Sequence, residues 1–372
     1  MIDLYLKNGK RVTDGSPIEI GVLGKKIVAV GHCLDGIEAG KVIDLQGKYV
    51  SAGWIDDHVH CYEKLTLYYD DPDEDGYKSG VTTVIDAGST GAENIGDFYD
   101  ITRNKITNVY AMINVGQTGI LAQNELGDIN TVQKDPLMES IQKYRDFIVG
   151  IKVRESHSVV IDNGVVPLQK AKAFQKSLGG NFPIMVHVGA NPPQLKDVLD
   201  LMDDNDILTH GYNGKPNGML DESDNICQFL WEAYRRGVTF DVGHGTDSFN
   251  FHTFDIANAA GLIPYSISTD IYNRNRVNGP VYNMATTLDK FLMYGYSLSD
   301  VISKVTAAPA DNFNLINKGH LKPGYDADLT IFELEENKEV TLTDSNHNQR
   351  QFNEHICPKM VVVMGKAYQI GE

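Results

Sequence analysis

Six side chains could do chemistry together: His58, His60, Lys152, His187, His210 and Asp270. The stretch Gly53-Trp54-Ile55-Asp56-Asp57-His58-Val59-His60 reads as one short strand ending in two imidazoles. Side chains alternate across a strand, so His58 and His60 point to one face. Paired neutral imidazoles make a poor core but half of a metal site. Taken alone, the pair also fits a solvated strand end. Lys152 stands in the apolar run Phe147-Ile148-Val149-Gly150-Ile151-Lys152-Val153-Arg154. His187 ends Pro183-Ile184-Met185-Val186-His187, His210 ends Asp206-Ile207-Leu208-Thr209-His210, and Asp270 ends Tyr265-Ser266-Ile267-Ser268-Thr269-Asp270. Singly, each has an ordinary reading: a solvated lysine, a hydrogen-bonded histidine, a helix-capping aspartate. Their shared position at strand ends is what makes them a set.

The elements that must position them follow from the apolar pattern. Strand candidates are Trp54–His60, Thr82–Asp86, Tyr110–Val115, Gly150–Arg154, Ile184–Val188, Ile207–His210, Thr239–Val242 and Tyr265–Thr269. Helical stretches lie between most of them. Leu195–Met202 carries an amphipathic stripe, and Cys227–Tyr234 is followed by Arg235-Arg236-Gly237, a basic last turn and a glycine stop. Eight strands alternating with helices over about 260 residues predict a TIM (β/α)8 barrel, whose active site lies at the C-terminal strand ends. An open doubly wound sheet is the alternative, but no glycine-rich phosphate fingerprint follows an early strand. Residues 1–52 read as all-β, and Asp328–Phe332 and Met360–Met364 return to strand character around a polar stretch, Glu333 to Arg350, read as hairpins or loop. The expected domains are therefore a small composite β-sandwich from 1–52 plus 319–372, and a barrel over 53–318.

Composition limits the partners. The chain has 372 residues, 42% hydrophobic and 22% charged, as expected of a globular protein. A net charge of -17 argues against nucleic acid. Cys33, Cys61, Cys227 and Cys357 are scattered without a CxxC pair, so no disulfide framework is expected, and Cys61 is out of phase with the histidine pair. No basic leader or long apolar run follows Met1, which makes cytoplasm the default and a membrane partner unexpected.

The constellation resembles the amidohydrolase superfamily of metal-dependent hydrolases. Gly53–His60 is similar to that family's strand-one motif, with Ala52 where proline is usual. Lys318-Gly319-His320-Leu321-Lys322-Pro323-Gly324-Tyr325-Asp326-Ala327-Asp328-Leu329, after Thr306-Ala307-Ala308-Pro309-Ala310, resembles its return into the β-sandwich. The dihydroorotase-like deacetylases, whose members carry labels such as dihydroorotase or adenine deaminase, are the subgroup it looks most like. The resemblance implies His58 and His60 on one metal, His187 and His210 on a second, and Asp270 on the first metal as proton shuttle. It also implies a CO2-derived carbamate on Lys152 bridging the two ions, since an ammonium is a donor only. Imidazole and carboxylate ligands favour zinc, with manganese or iron open.

The implied reaction is cleavage of an amide or ester in a small N-acyl or O-acyl carboxylate, a deacetylation, by a hydroxide bridging the metals. Arg154, His244, Tyr272 and Asn273 are the candidate substrate-binding residues. Arg154 also fits a structural ion pair, and His244 a loop-packing role. Glu155 and His157 stay unassigned. A cyclic amidohydrolase like dihydroorotase is one rival. A deaminase like adenine deaminase is another, although His187-Val188-Gly189 lacks the glutamate that many such deaminases carry after the fifth strand. An inactive scaffold is the non-enzyme rival. The expected partner is a small-molecule substrate. Homo-oligomers are common in the family, but the sequence marks no interface.

Overall fold

The computed structural model describes residues 1–371 apart from 35 and 205. Strands buried on both faces need continuous apolar runs, and these occur. Val81–Ala87, for example, is buried throughout. Seven parallel strands hydrogen-bond in chain order: Trp54–Val59, Val81–Ala87, Asn108–Asn114, Ile148–Glu155, Ile184–Val188, Asp206–Thr209 and Thr239–Phe240. The eighth expected strand forms no regular ladder. It closes the ring through two isolated parallel bridges, Asp241 to Ser266 and Val59 to Ile271. Asp270 donates its amide to the His58 carbonyl (2.7 Å), and His60 donates to the Ile271 carbonyl (2.9 Å). Asp270 has φ 50°, so the left-handed backbone at this position breaks the strand while aiming the carboxyl inward. The result is a TIM barrel.

Helices cover the outside. Gln228–Arg236 ends at Gly237, whose φ of 95° supplies the left-handed cap that the sequence predicts. The barrel interior is layered. Ile55, Ile85, Met112, Met185 and Ile207 fill the lower part with Phe313 and Leu315. Two residues further along the same inward faces come polar groups: Lys152 after Gly150, and His187 after Met185. An apolar floor thus carries the polar rim.

Both ends of the chain build a second, eight-stranded sheet. Ile2–Arg11 pairs with Ala39–Asp44 along its first half and with Tyr49–Ala52 at its end, so the sheet forks there. Tyr49–Ala52 pairs antiparallel with Leu329–Thr343. Leu4, Leu6, Ile20, Val50, Leu329 and Ile331 share one core drawn from both branches. The polar stretch 333–350 is neither loop nor several hairpins. Leu329–Thr343 and Gln349–Val363 form one long hairpin, whose Leu342 and Ile356 pack into the barrel core. Its other face is exposed and charged, which hid the strand periodicity. Trp54 is fully buried against Phe332, with ring centroids 5.4 Å apart, and joins the two units. Among the described residues, no helix is long and apolar enough to cross a membrane.

Candidate metal centre

The strand ends bring the six polar groups onto one rim. The Nε2 atoms of His58 and His60 lie 3.4 and 3.2 Å from Asp270 Oδ1. Ring centroids of His58 and His210 are 4.9 Å apart, and those of His187 and His210 are 4.6 Å apart. His58, His210 and Asp270 offer ligand atoms all within 4.8 Å of one another. Lys152 Nζ reaches His58 Nε2 at 3.1 Å and Met185 Sδ at 3.2 Å.

The groups behind the rim fix each ring. His58 Nδ1 is 2.9 Å from Thr209 Oγ1, and Thr209 donates to Asp241 Oδ2 at 2.8 Å. His60 Nδ1 is 2.9 Å from Ser89 Oγ, and His210 Nδ1 donates to the Gly243 carbonyl at 2.7 Å. With Nδ1 occupied in all three rings, Nε2 is left facing the common space, as outer partners of metal-binding histidines arrange it. Asp241 also accepts from Ser266 and Ser268. Asp56 accepts from the Thr269 amide and hydroxyl, tying the first strand to the irregular eighth segment.

Charge states suit a cation. Burial first, then Lys152 and the neighbouring rings, holds His58 well below the ordinary imidazole range. Burial likewise depresses His187, and pushes His210 down to about 3. Neutral imidazole is the ligating form. Burial raises Asp270, but a hydrogen bond from His60 and the fields of His210 and Lys152 outweigh it, so its carboxyl titrates below the usual value. Burial lowers Lys152 to about 7. Four imidazoles, a carboxylate and a deprotonable amine around one space fit divalent metal ions by donor chemistry.

Asp270 Oδ2 rests against the backbone of Gly245. A Cβ there would stand 2.3 Å from Oδ2, and Gly245 has φ 53°. Any side chain at this position displaces the carboxylate.

The rim opens into a cavity of about 470 Å³. Arg154 and Tyr272, two of the candidate substrate-binding residues, line it. Arg154 Nε lies 3.2 Å from Glu125 Oε1, so the ion pair and the cavity-facing role coexist. Two expectations are corrected. His244 does not line the cavity: it is fully buried, stacked on Phe249, with Nδ1 on the Gly245 carbonyl and Nε2 accepting from Lys290 Nζ at 2.6 Å. Gly243 and Gly245 have φ of 49° and 53°, so strand alternation fails there and the ring turns away. Asn273 begins the short helix Asn273–Asn278, and its amide donates to the Tyr69 carbonyl. Its neighbour Arg274 lines the cavity instead. Lys215, Thr246, Asp247 and Ser248 also line it. They sit in loops, where no periodicity marks them. Cys61 is buried and absent from the lining.

Glu155, unassigned from sequence, is buried beside the rim. Its Oε1 accepts from the Leu168 amide at 3.0 Å, while Oε2 has no hydrogen-bond partner among the described residues. Burial pushes its carboxyl up to about 8. The folded protein therefore holds a proton that the unfolded chain releases near 4.5, and stability from this group falls as pH rises between those values. Glu155→Gln is expected to raise the melting temperature by roughly a few degrees at pH 9 and to leave it unchanged near pH 4. Thermal scans at both pH values check this.

Known proteins resemble this chain over nearly its whole length. A deacetylase of Enterococcus faecalis is 52% identical over 98% of this chain and 99% of its own. The chain belongs to the deacetylase branch of the amidohydrolase superfamily. A solved structure described as an adenine deaminase shares 52% identity with this amidohydrolase, covers 99% of it and 100% of its own chain, and superposes with a TM-score of 0.97. A solved dihydroorotase shares 32% identity over 99% and 97% of the two chains, with a TM-score of 0.88. A deacetylase-like composite domain matches residues 321–369. The amidohydrolase is a metal-dependent hydrolase.

Proposed function

We propose that this hydrolase cleaves the amide or ester bond of a small acylated carboxylate, as a deacetylase. The observation that carries the reading is the rim of His58, His60, His187, Lys152 and Asp270, with His210 beside His58 and Asp270, facing a cavity whose other walls hold Arg154, Lys215 and Arg274. Three cations on those walls favour an anionic substrate despite the acidic chain. His58 and His60 would hold one divalent ion, His187 and His210 a second, with a carbamate on Lys152 between them; zinc suits the donors. When bound, such ions supply an activated water near neutral pH and polarise the acyl carbonyl.

The chain's own residues supply the rest. Asp270 is ionised at neutral pH and only 17% exposed, so it can take a proton at the rim and deliver it to the leaving nitrogen or oxygen. Arg154, steadied by Glu125 and by Tyr68 with its ring 5.9 Å away, can hold the carboxylate. Tyr272, anchored through a hydroxyl contact of 3.0 Å with Thr246, forms another part of the wall.

Deamination is the second reading, favoured by the solved relative described as an adenine deaminase. Against it, Val188 and Gly189 follow His187 and offer no carboxylate. The test is a panel of O-acyl hydroxy acids and N-acyl amino acids, with adenine alongside, given to zinc-loaded enzyme. Acid release from an acyl compound, abolished by a chelator and restored by metal, is expected. Ammonia release from adenine without deacylation would reverse the assignment.

A further inference from the structure

The cavity wall contributed by residues 246–248 is held from outside the barrel. Its two ends are pinned by a single side chain on the long C-terminal hairpin. Ser345 Oγ lies 3.1 Å from both the His244 and Gly245 carbonyls, which share its one hydroxyl proton, and accepts from the Phe249 amide at 3.1 Å. The Ser345 amide donates to the Phe249 carbonyl at 2.8 Å. Only Thr246, Asp247 and Ser248 lie between the pinned residues, and all three line the cavity. Three residues spanning two fixed points form an arch with little freedom. Thr246 Oγ1 meets the Tyr272 hydroxyl, so the arch carries a second wall with it.

The hairpin tip is itself built to hold still. Asp344 accepts from the Phe251 amide at 3.0 Å and from the Asn346 and Asn348 amides at 2.8 Å. Beneath the arch, the His244–Lys290 pair is fully buried and fills the space behind it. Ser345 is not among the residues lining the cavity, and its hydroxyl bonds go to His244, Gly245 and Phe249 rather than to the metal-site residues.

The geometry points to Ser345 as a positioning residue that sets substrate affinity: the terminal domain reaches over the barrel and shapes the substrate-facing arch 246–248 through Ser345, whose hydroxyl meets both ends of it. The inference rests on the hydrolase reading for its kinetic consequence, while the physical claim concerns the arch alone. A group that orders a binding wall without touching the reacting atoms acts on KM more than on kcat.

The experiment compares metal-loaded wild type with Ser345→Ala, Ser345→Thr and Asn346→Ala. Hydrogen exchange by mass spectrometry follows peptides spanning 244–249, and kinetics follow an acylated substrate from the panel above. Ser345→Ala is expected to speed exchange in that segment roughly tenfold. It is also expected to raise KM roughly tenfold with kcat within about twofold, and with melting temperature and metal content unchanged. Ser345→Thr, which keeps the hydroxyl, is expected to recover most of the affinity. Asn346→Ala, in the same turn, removes the bond from Asn250 beyond the end of the arch but leaves every Ser345 bond to it, and is expected to match wild type. If Ser345→Ala does not fold, Ser345→Cys is measured in its place. Unchanged exchange, an unchanged KM, or a parallel fall of kcat, metal content and melting temperature overturns the proposal. Failure of wild type to release acid from any acyl compound defeats the deacetylase reading instead, and the exchange data still decide the arch.

Discussion

Asp270→Asn is expected to lower kcat by roughly three orders of magnitude, within the range that positioned acid–base groups supply. Asparagine keeps the shape and one oxygen, so Oδ1 can still face His58 and His60, and metal content should stay near wild type. What it removes is the ability to take and return a proton. The site favours that ability. Burial alone would raise the carboxyl, but the hydrogen bond from His60 and the fields of His210 and Lys152 bring its titration below the usual carboxylate value, so it is ionised at neutral pH. The left-handed backbone at Asp270 and the close approach of Gly245 leave the carboxylate little choice of position. Steady-state kinetics with metal analysis on the same preparation give the answer. Wild-type kcat in the asparagine variant, metal intact, would sink the proton-transfer role.

Lys152→Met should be nearly as damaging, through a different route: loss of metal. Methionine approximates the volume of the lysine stem, and Met185 shows that the floor already accepts a thioether beside Nζ. Packing should therefore survive while the ligand is lost. Lys152 is fully buried and its amine titrates near 7, so above that pH the free amine predominates. A free amine attacks CO2 at carbon, forming an N–C bond and releasing a proton to solvent; the product is an anion that can ligate cations. An uncarboxylated ammonium 3.1 Å from His58 Nε2 would instead oppose a cation there. Native mass spectrometry of wild type should show the mass of one added CO2, absent from Lys152→Met. The variant should bind less metal and lose activity by at least about a thousandfold. Full metal occupancy and turnover in Lys152→Met would remove the lysine from the site.

The rim was legible because each of its residues ends an apolar run, and period two then dictates which neighbours share its face. Lys152 and Arg154 illustrate this: both face inward, two positions apart. The same reasoning failed at His244, where two glycines with positive φ cancel the alternation. It missed Arg274 by one position, because the turn after Asp270 passes directly into a helix whose first residue, Asn273, is tied by its amide to Tyr69. Lys215 and Ser248 left no periodic signal at all. The barrel was legible from the alternation of runs and helices, yet its eighth strand exists only as two bridges. The hairpin arm was hidden by its charged outer face. Ser345 shows the broader limit: its meaning lies in contacts about a hundred residues away in sequence, which no local pattern encodes.

The seam at residues 49–54 bears on how the chain is made. All six rim residues lie before residue 271, so a ribosome has finished them long before it reaches Leu329. Until then Tyr49–Ala52 lacks its antiparallel neighbour, and the Trp54 ring lacks Phe332. An open strand edge beside an uncovered indole is a hazard for nascent chains. Residues 1–328 expressed alone should accordingly sediment as aggregate, although they contain every group of the rim. Synthesis of the terminal sheet, rather than of the chemistry, is the step that makes the hydrolase safe to release.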